Sequence, residues 1–267
     1  MGSHRNRPPT NRSGTKRYSL QKVLGSERWL WLILLRRMNL VSGLFSSSLG
    51  RKFLMALTGV GLVLFVVVHM AGNLQFFLGR EAINHYAHVL KTNPEFLWPA
   101  RAGLLGCILL HITMAIWLTV ENRTKRRAGY AVQDVGAASL AARTMIYSGS
   151  IIAVFIIYHL LHYTVLMQSI NLTGQDFSTF RDAHGQPDVY RMMIIGFSNP
   201  SVSGFYLLGV GLLCFHLSHG IWAMLQSLGL VSETYRTLIE RGSGIGALLL
   251  FIGYAAIPVT ILTGWVK

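Results

Sequence analysis

The sequence predicts an all-α membrane protein: a bundle of five transmembrane helices, N-terminus cytoplasmic, preceded by a basic, interfacial N-terminal extension. Three observations carry this expectation. Of 267 residues, 52% are hydrophobic and only 13% charged, about half the charge of an ordinary soluble domain. The apolar residues gather into five blocks, each close to the roughly 20 residues that a helix needs to cross a hydrocarbon core about 30 Å thick. The blocks lack the period-2 alternation of barrel strands, and backbone groups in lipid must be satisfied within the segment, so helices are expected.

Taken in order, residues 1–50 form the extension and residues 51–267 the five-helix domain. Residues 1–28 are polar and basic, a composition that resists compact folding. The run Trp29-Leu30-Trp31-Leu32-Ile33-Leu34-Leu35 is apolar but stops at Arg36-Arg37. Each arginine at mid-membrane would cost about 2.5–3.5 kcal/mol, so this run is expected to lie on the membrane surface. It has no small-residue cleavage site of a signal peptide after it. The spans are expected from Phe53 to Leu78, Pro99 to Val120, Met145 to Met167, Ser203 to Leu228 and Gly244 to Val266.

Charge orients the bundle. The chain carries 24 Lys and Arg against 10 Asp and Glu. With a cytoplasmic N-terminus, 18 basic residues fall on the inner side and six on the outer, among them Arg80, Arg101 and Arg181, in keeping with the positive-inside rule. The acids divide evenly, so almost all of the +14 net charge is an inner-face property. Topology accounts for it without a nucleic acid partner. The basic run Arg123-Thr124-Lys125-Arg126-Arg127 fits a membrane-surface role or the docking of a protein partner. Cys107 and Cys214, both inside apolar blocks, read as small hydrophobes and not as a disulfide or a cysteine metal site.

Six of ten histidines lie in the blocks: His69, His111, His159, His162, His216 and His219. An imidazole in lipid must hydrogen-bond, bind a ligand or line a polar path. One such residue serves equally well as glue between helices, but here each of the first four helices supplies at least one. Four imidazoles directed inward can hold two metal centres with two axial ligands each. Bis-His ligation closes both faces of a haem iron and suits electron transfer. A cation transporter would normally pair its histidines with intramembrane carboxylates, whereas all ten acids fall in loops or at helix ends. Spacing alone leaves open which member of His159/His162 and of His216/His219 is a ligand. The other member is expected to hydrogen-bond to a propionate, a carbonyl or water.

At this point particular strings bear a likeness to a known family. They are Gly50-Arg51-Lys52, Met55-Ala56-Leu57-Thr58-Gly59, His69-Met70-Ala71-Gly72-Asn73-Leu74, His111-Ile112 with Trp117-Leu118-Thr119-Val120-Glu121-Asn122-Arg123, Tyr158-His159-Leu160-Leu161-His162, and Phe215-His216-Leu217-Ser218-His219-Gly220-Ile221-Trp222. Over about residues 48–267 the chain resembles the membrane cytochrome b subunit of succinate:quinone oxidoreductases in its single-chain, five-helix, two-haem form. The resemblance implies His69, His111, His159 and His216 as axial ligands of two haem b groups, His69 pairing with His159 (outer) and His111 with His216 (inner). Counting from Lys52 and Arg143, His69 and His159 should share a depth of roughly 24–26 Å from the inner boundary. His111 should lie about 18 Å from it, and counting leaves the depth of His216 ambiguous.

The resemblance further implies a multi-pass protein of the bacterial inner (cytoplasmic) membrane, the quinone-reactive subunit of succinate dehydrogenase, with menaquinone as acceptor. Its partners would be a FAD-containing flavoprotein and an iron–sulfur subunit on the cytoplasmic side. This chain itself has no dinucleotide fingerprint after a strand and too few cysteines for a cysteine-ligated cluster. Quinone reduction needs a protonatable group near the membrane edge, and Glu81, His85, His88 and Tyr86 follow the first span; a hydrated loop helix explains them as well. His184 reads as an ordinary loop residue. Alternatives are the equivalent subunit of a quinol:fumarate reductase, a His-rich metal transporter, and a haem-free anchor.

Overall fold

Residues that alternate between long apolar runs and short polar connections fold here almost wholly as helix. This computed structural model describes residues 43–126 and 140–266. The main elements are α1 (Ser48–Leu74), α2 (Arg80–Thr92), α3 (Pro94–Arg126), α4 (Leu140–Tyr163), α5 (Val189–Ser198), α6 (Pro200–Ser227) and α7 (Arg236–Leu262). Among the described residues the only β pairing is an isolated bridge between Arg181 and Pro187. The expected surface run Trp29–Leu35 and the basic residue Arg127 lie outside the described residues.

Five helices, α1, α3, α4, α6 and α7, are long and apolar enough to cross a membrane. The chain is thus a multi-pass membrane protein. An odd number of spans puts the N-terminal end of the bundle opposite the end that carries α2 and α5. Helix ends obey local chemistry more than hydropathy. The α3 helix begins at Pro94, five residues earlier than the apolar block, because proline at a first helical position loses no intrahelical bond. The α6 helix starts at Pro200 for the same reason, and Asn199 caps it by accepting from Ser201 N–H at 3.0 Å. The α4 helix stops at Tyr163, short of the expected Met167. There the Leu160 carbonyl accepts from both Thr164 and Val165 N–H, and Leu166 turns left-handed at φ 60°, which ends a helix.

Packing divides the bundle into a tight side and a loose side. Val210, Cys214 and Leu217 of α6 and Ala247, Leu250, Ile257 and Ile261 of α7 are buried in one core with Phe155 of α4. Of the most apolar window of α6, 39% is buried, and of α7 33%, against 11% for α1 and for α3. Helices α1 and α3 therefore touch the rest through specific side chains. Tyr254 of α7 donates to the Val66 carbonyl of α1 at 2.7 Å. Between α1 and α3, the buried Arg51 pairs with Glu121 at 2.5 Å and lies over the Trp117 ring at 4.9 Å, joining residues from two of the strings quoted above.

The end bearing α2 and α5 is closed by a carboxylate. Asp188 is fully buried, caps α5 by accepting from Arg191 N–H at 3.2 Å, and accepts from Asn84 Nδ2 at 3.0 Å and from the Arg80 guanidinium. Asn84 in turn accepts from Tyr190 N–H at 3.0 Å. Burial pushes the Asp188 carboxyl up, but the bonds from Arg80, Asn84 and Arg191 outweigh it and hold the group below its ordinary value. A carboxyl depressed on folding stabilises the protein fully above its unfolded pKa, and that contribution is lost as pH falls through the folded value. Replacing Asp188 with alanine should cost about 2–4 kcal/mol. In detergent, the wild type should lose thermal stability as pH drops below about 4, and Asp188→Asn should show a flatter acid limb over the same range.

Candidate functional site

Each intramembrane histidine sits where a helix brings it against a neighbour, and together they form two tiers. In the tier toward α2, His69 of α1 meets His159 of α4 with ring centres 5.8 Å apart and planes at 75°. Phe65, one turn before His69, stacks on it at 5.2 Å, and Phe155 lies one turn before His159 at 6.2 Å. Two imidazoles bound to opposite faces of one iron at about 2 Å per bond have ring centres roughly 6 Å apart. The pair thus fits axial ligation. The α1 side departs from the usual pattern, since Asn73 lies 3.3 Å from His69 Nε2, a bond that ligation through Nε2 would displace.

In the second tier, a local bond settles which ring nitrogen of His111 carries hydrogen. His111 Nδ1 lies 3.2 Å from the Met55 carbonyl. A carbonyl can only accept, so Nδ1–H donates and Nε2 is left with a lone pair. His216 Nδ1 lies 3.1 Å from Ser148 Oγ, which lies equally close to the Met145 carbonyl. With the serine hydrogen on that carbonyl, His216 Nδ1–H donates to the serine and Nε2 is bare; with it on His216 Nδ1, the ring hydrogen sits on Nε2. A ligating histidine typically has its other nitrogen held in this way. Among the described residues, His111 and His216 make no ring contact of the kind that joins His69 to His159.

The spacing of the tiers follows from helix rise. His111 docks on Met55 and Thr58 of α1, roughly 16–21 Å along the helix from His69. His216 docks on Ser148 of α4, roughly 16 Å from His159. The level of His216, ambiguous by counting, is thereby fixed alongside that of His111. At the level of His111 and His216, a Cβ on Gly149 would lie 3.5 Å from His216 Cε1 and one on Gly59 3.7 Å from His111 Cε1, ordinary contacts that do not require glycine. A Cβ on Gly209 would overlap the Phe155 ring.

The second histidines differ from each other. His162 is fully buried, stacks on Tyr163 with ring centres 4.1 Å apart, and bonds through Nδ1 to the Tyr206 hydroxyl at 3.1 Å. That hydroxyl also lies 3.3 Å from His159 Nδ1. His219 packs near Trp222 at 5.9 Å. Tyr206, Ser148 and Thr58 were not singled out from the sequence. Their signal is a hydroxyl within an apolar block, which is weak because such groups commonly bond to their own helix backbone.

The residues expected near a quinone lie on α2 but do not converge. Glu81 and His85 are exposed and His88 is half-buried. Tyr86 points the other way, its hydroxyl lying where a Cβ on Gly72 would stand, 2.5 Å away, one turn from His69. His184 is exposed in the long connection before α5 and holds no side-chain contact to either tier; its N–H donates to Asp182 at 2.9 Å. Among the described residues no group of three or more His, Cys, Asp or Glu side chains converges as a metal cage. The clusters are pairs.

Replacing Gly209 with valine should drive Phe155 from its seat beside His159 and cost about 1–3 kcal/mol, read as a lower unfolding temperature in detergent. Gly204→Val, where a Cβ meets nothing, should change it far less. Comparison with protein-family models, with curated proteins and with solved structures finds no match.

Proposed function

We propose that the chain is the membrane cytochrome b subunit of a succinate:quinone oxidoreductase, holding two haem b groups within a five-helix bundle. The observation that carries this reading is the His69–His159 couple, two imidazoles on separate membrane-length helices with ring centres 5.8 Å apart. The second tier supports it, since His111 and His216 each have Nδ1 hydrogen-bonded to another helix, and on His111 that bond leaves Nε2 available. Bound haem would supply reversible one-electron carriage across the membrane.

The protein's own part is to hold and orient. His69 and His159 are the ligands of the outer group, and His111 and His216 those of the inner. Met55, Ser148 and Tyr206 fix the imidazoles through Nδ1. With the bulk of the basic residues on the cytoplasmic side, the N-terminus is cytoplasmic, and the family resemblance implies the bacterial inner membrane. A flavoprotein and an iron–sulfur subunit dock on that face and carry out the succinate chemistry. Quinone, in this reading menaquinone, reacts near the outer tier, with Glu81, His85, His88 and Tyr86 on or near the proton path. The same parts serve a quinol:fumarate reductase, and the direction of net turnover separates the two.

The purified protein should show the reducible absorption bands of low-spin b-type haem, and their absence would end the reading in favour of a haem-free anchor or a metal transporter. Replacing His69 or His159 should remove one haem, replacing His111 or His216 the other, and His162 or His219 variants should keep both. Haem content per chain measures this, and two haems retained in the first four variants would refute the assignment. Glu81→Gln should abolish quinone reduction with both haems in place; full turnover would discard the proton-path role of α2. Co-purification with a FAD-containing chain and an iron–sulfur chain tests the partners.

A further inference from the structure

One hydroxyl stands between two imidazoles. Tyr206 Oη lies 3.3 Å from His159 Nδ1 and 3.1 Å from His162 Nδ1, and both Tyr206 and His162 are buried. A phenol has one hydrogen to give and accepts through its lone pairs. Two arrangements make both bonds: both Nδ1–H groups donate to the phenol and its own hydrogen is stranded, or one Nδ1 donates while the other accepts that hydrogen, which puts the two neutral rings in opposite tautomers.

Resting on the haem reading above, the geometry points to Tyr206 as a positioning residue that sets the electron-donating strength of the outer haem's His159 ligand, with His162 as its anchor. Ligation through Nε2 leaves the hydrogen of His159 on Nδ1, which donates to Tyr206. The Tyr206 hydroxyl then donates to His162 Nδ1 and is not stranded, and His162 carries its hydrogen on Nε2, which is buried and has no hydrogen-bond partner among the described residues. Each bond in the chain polarises the next. An Nδ1–H drawn toward an acceptor makes the opposite nitrogen a stronger donor to iron, favouring the oxidised metal and lowering its potential. His162 is thus explained without being a ligand: it gives the phenol an acceptor, so the phenol's lone pair faces His159. The couple at His111 and His216 ends instead on a carbonyl and a serine, so the two haems are tuned by different chemistry.

The test is a redox titration of the two-haem protein in its complex, followed by haem absorption. Tyr206→Phe removes the oxygen and keeps the ring. It should retain two haems and raise one midpoint potential, leaving the other unchanged. His162→Leu should raise the same potential by a smaller amount, and His162→Gln, whose amide oxygen can accept from the phenol, should restore it toward the wild-type value. Two haems with unchanged potentials in Tyr206→Phe would overturn the inference while leaving the haem reading intact. If Tyr206→Phe loses a haem, His162→Leu decides: a single raised potential supports the relay, and unchanged potentials overturn it. A wild-type protein without haem bands overturns the haem reading and this inference with it.

Discussion

A neutral imidazole carried into lipid has to satisfy two nitrogens with few polar groups at hand. In this bundle one nitrogen of His111, His159 and His216 is met by a group on another helix. That bond ties helix to helix and also decides what the remaining nitrogen can do. The positions of Met55, Ser148 and Tyr206 follow from this requirement. The polar content of the membrane core is small and is spent on orientation.

The tight and loose sides of the bundle reflect the same economy. Helices α6 and α7 share an apolar core with Phe155, and such shape-matched packing holds membrane helices together without a hydrophobic driving force between them. Helices α1 and α3 are joined to the rest by discrete polar ties, Tyr254 to Val66, Arg51 to Glu121 and the docked His111. A large planar group between helices would take the place of direct backbone packing, and it is the helices bearing His69 and His111 that pack least closely.

Much of the fold was legible because membrane crossing is a matter of length and polarity. Five blocks stood out from composition, and counting from Lys52 and Arg143 put His69 and His159 at one depth, where their rings meet. Helix ends were less legible, since Pro94 and Leu166 act through backbone geometry that hydropathy does not register. The hydroxyl partners of the histidines were hidden for another reason: a serine or tyrosine in an apolar helix looks the same whether it bonds to its own turn or across the bundle. The Asp188 cluster could not be read at all, because it joins Arg80 to a residue 108 positions later and neither string carries a periodic signal.

That separation has a consequence for how the molecule is made. The chain reaches the membrane from its N-terminus, so α1 and α2 are delivered while Asp188 is still unsynthesised, and the Arg80–Asp188 tie cannot form until three spans are inserted. For the first part of that interval His69 lacks its partner on α4. Biogenesis therefore leaves the α2 end of the bundle open until the late carboxylate arrives and latches α2 to α5.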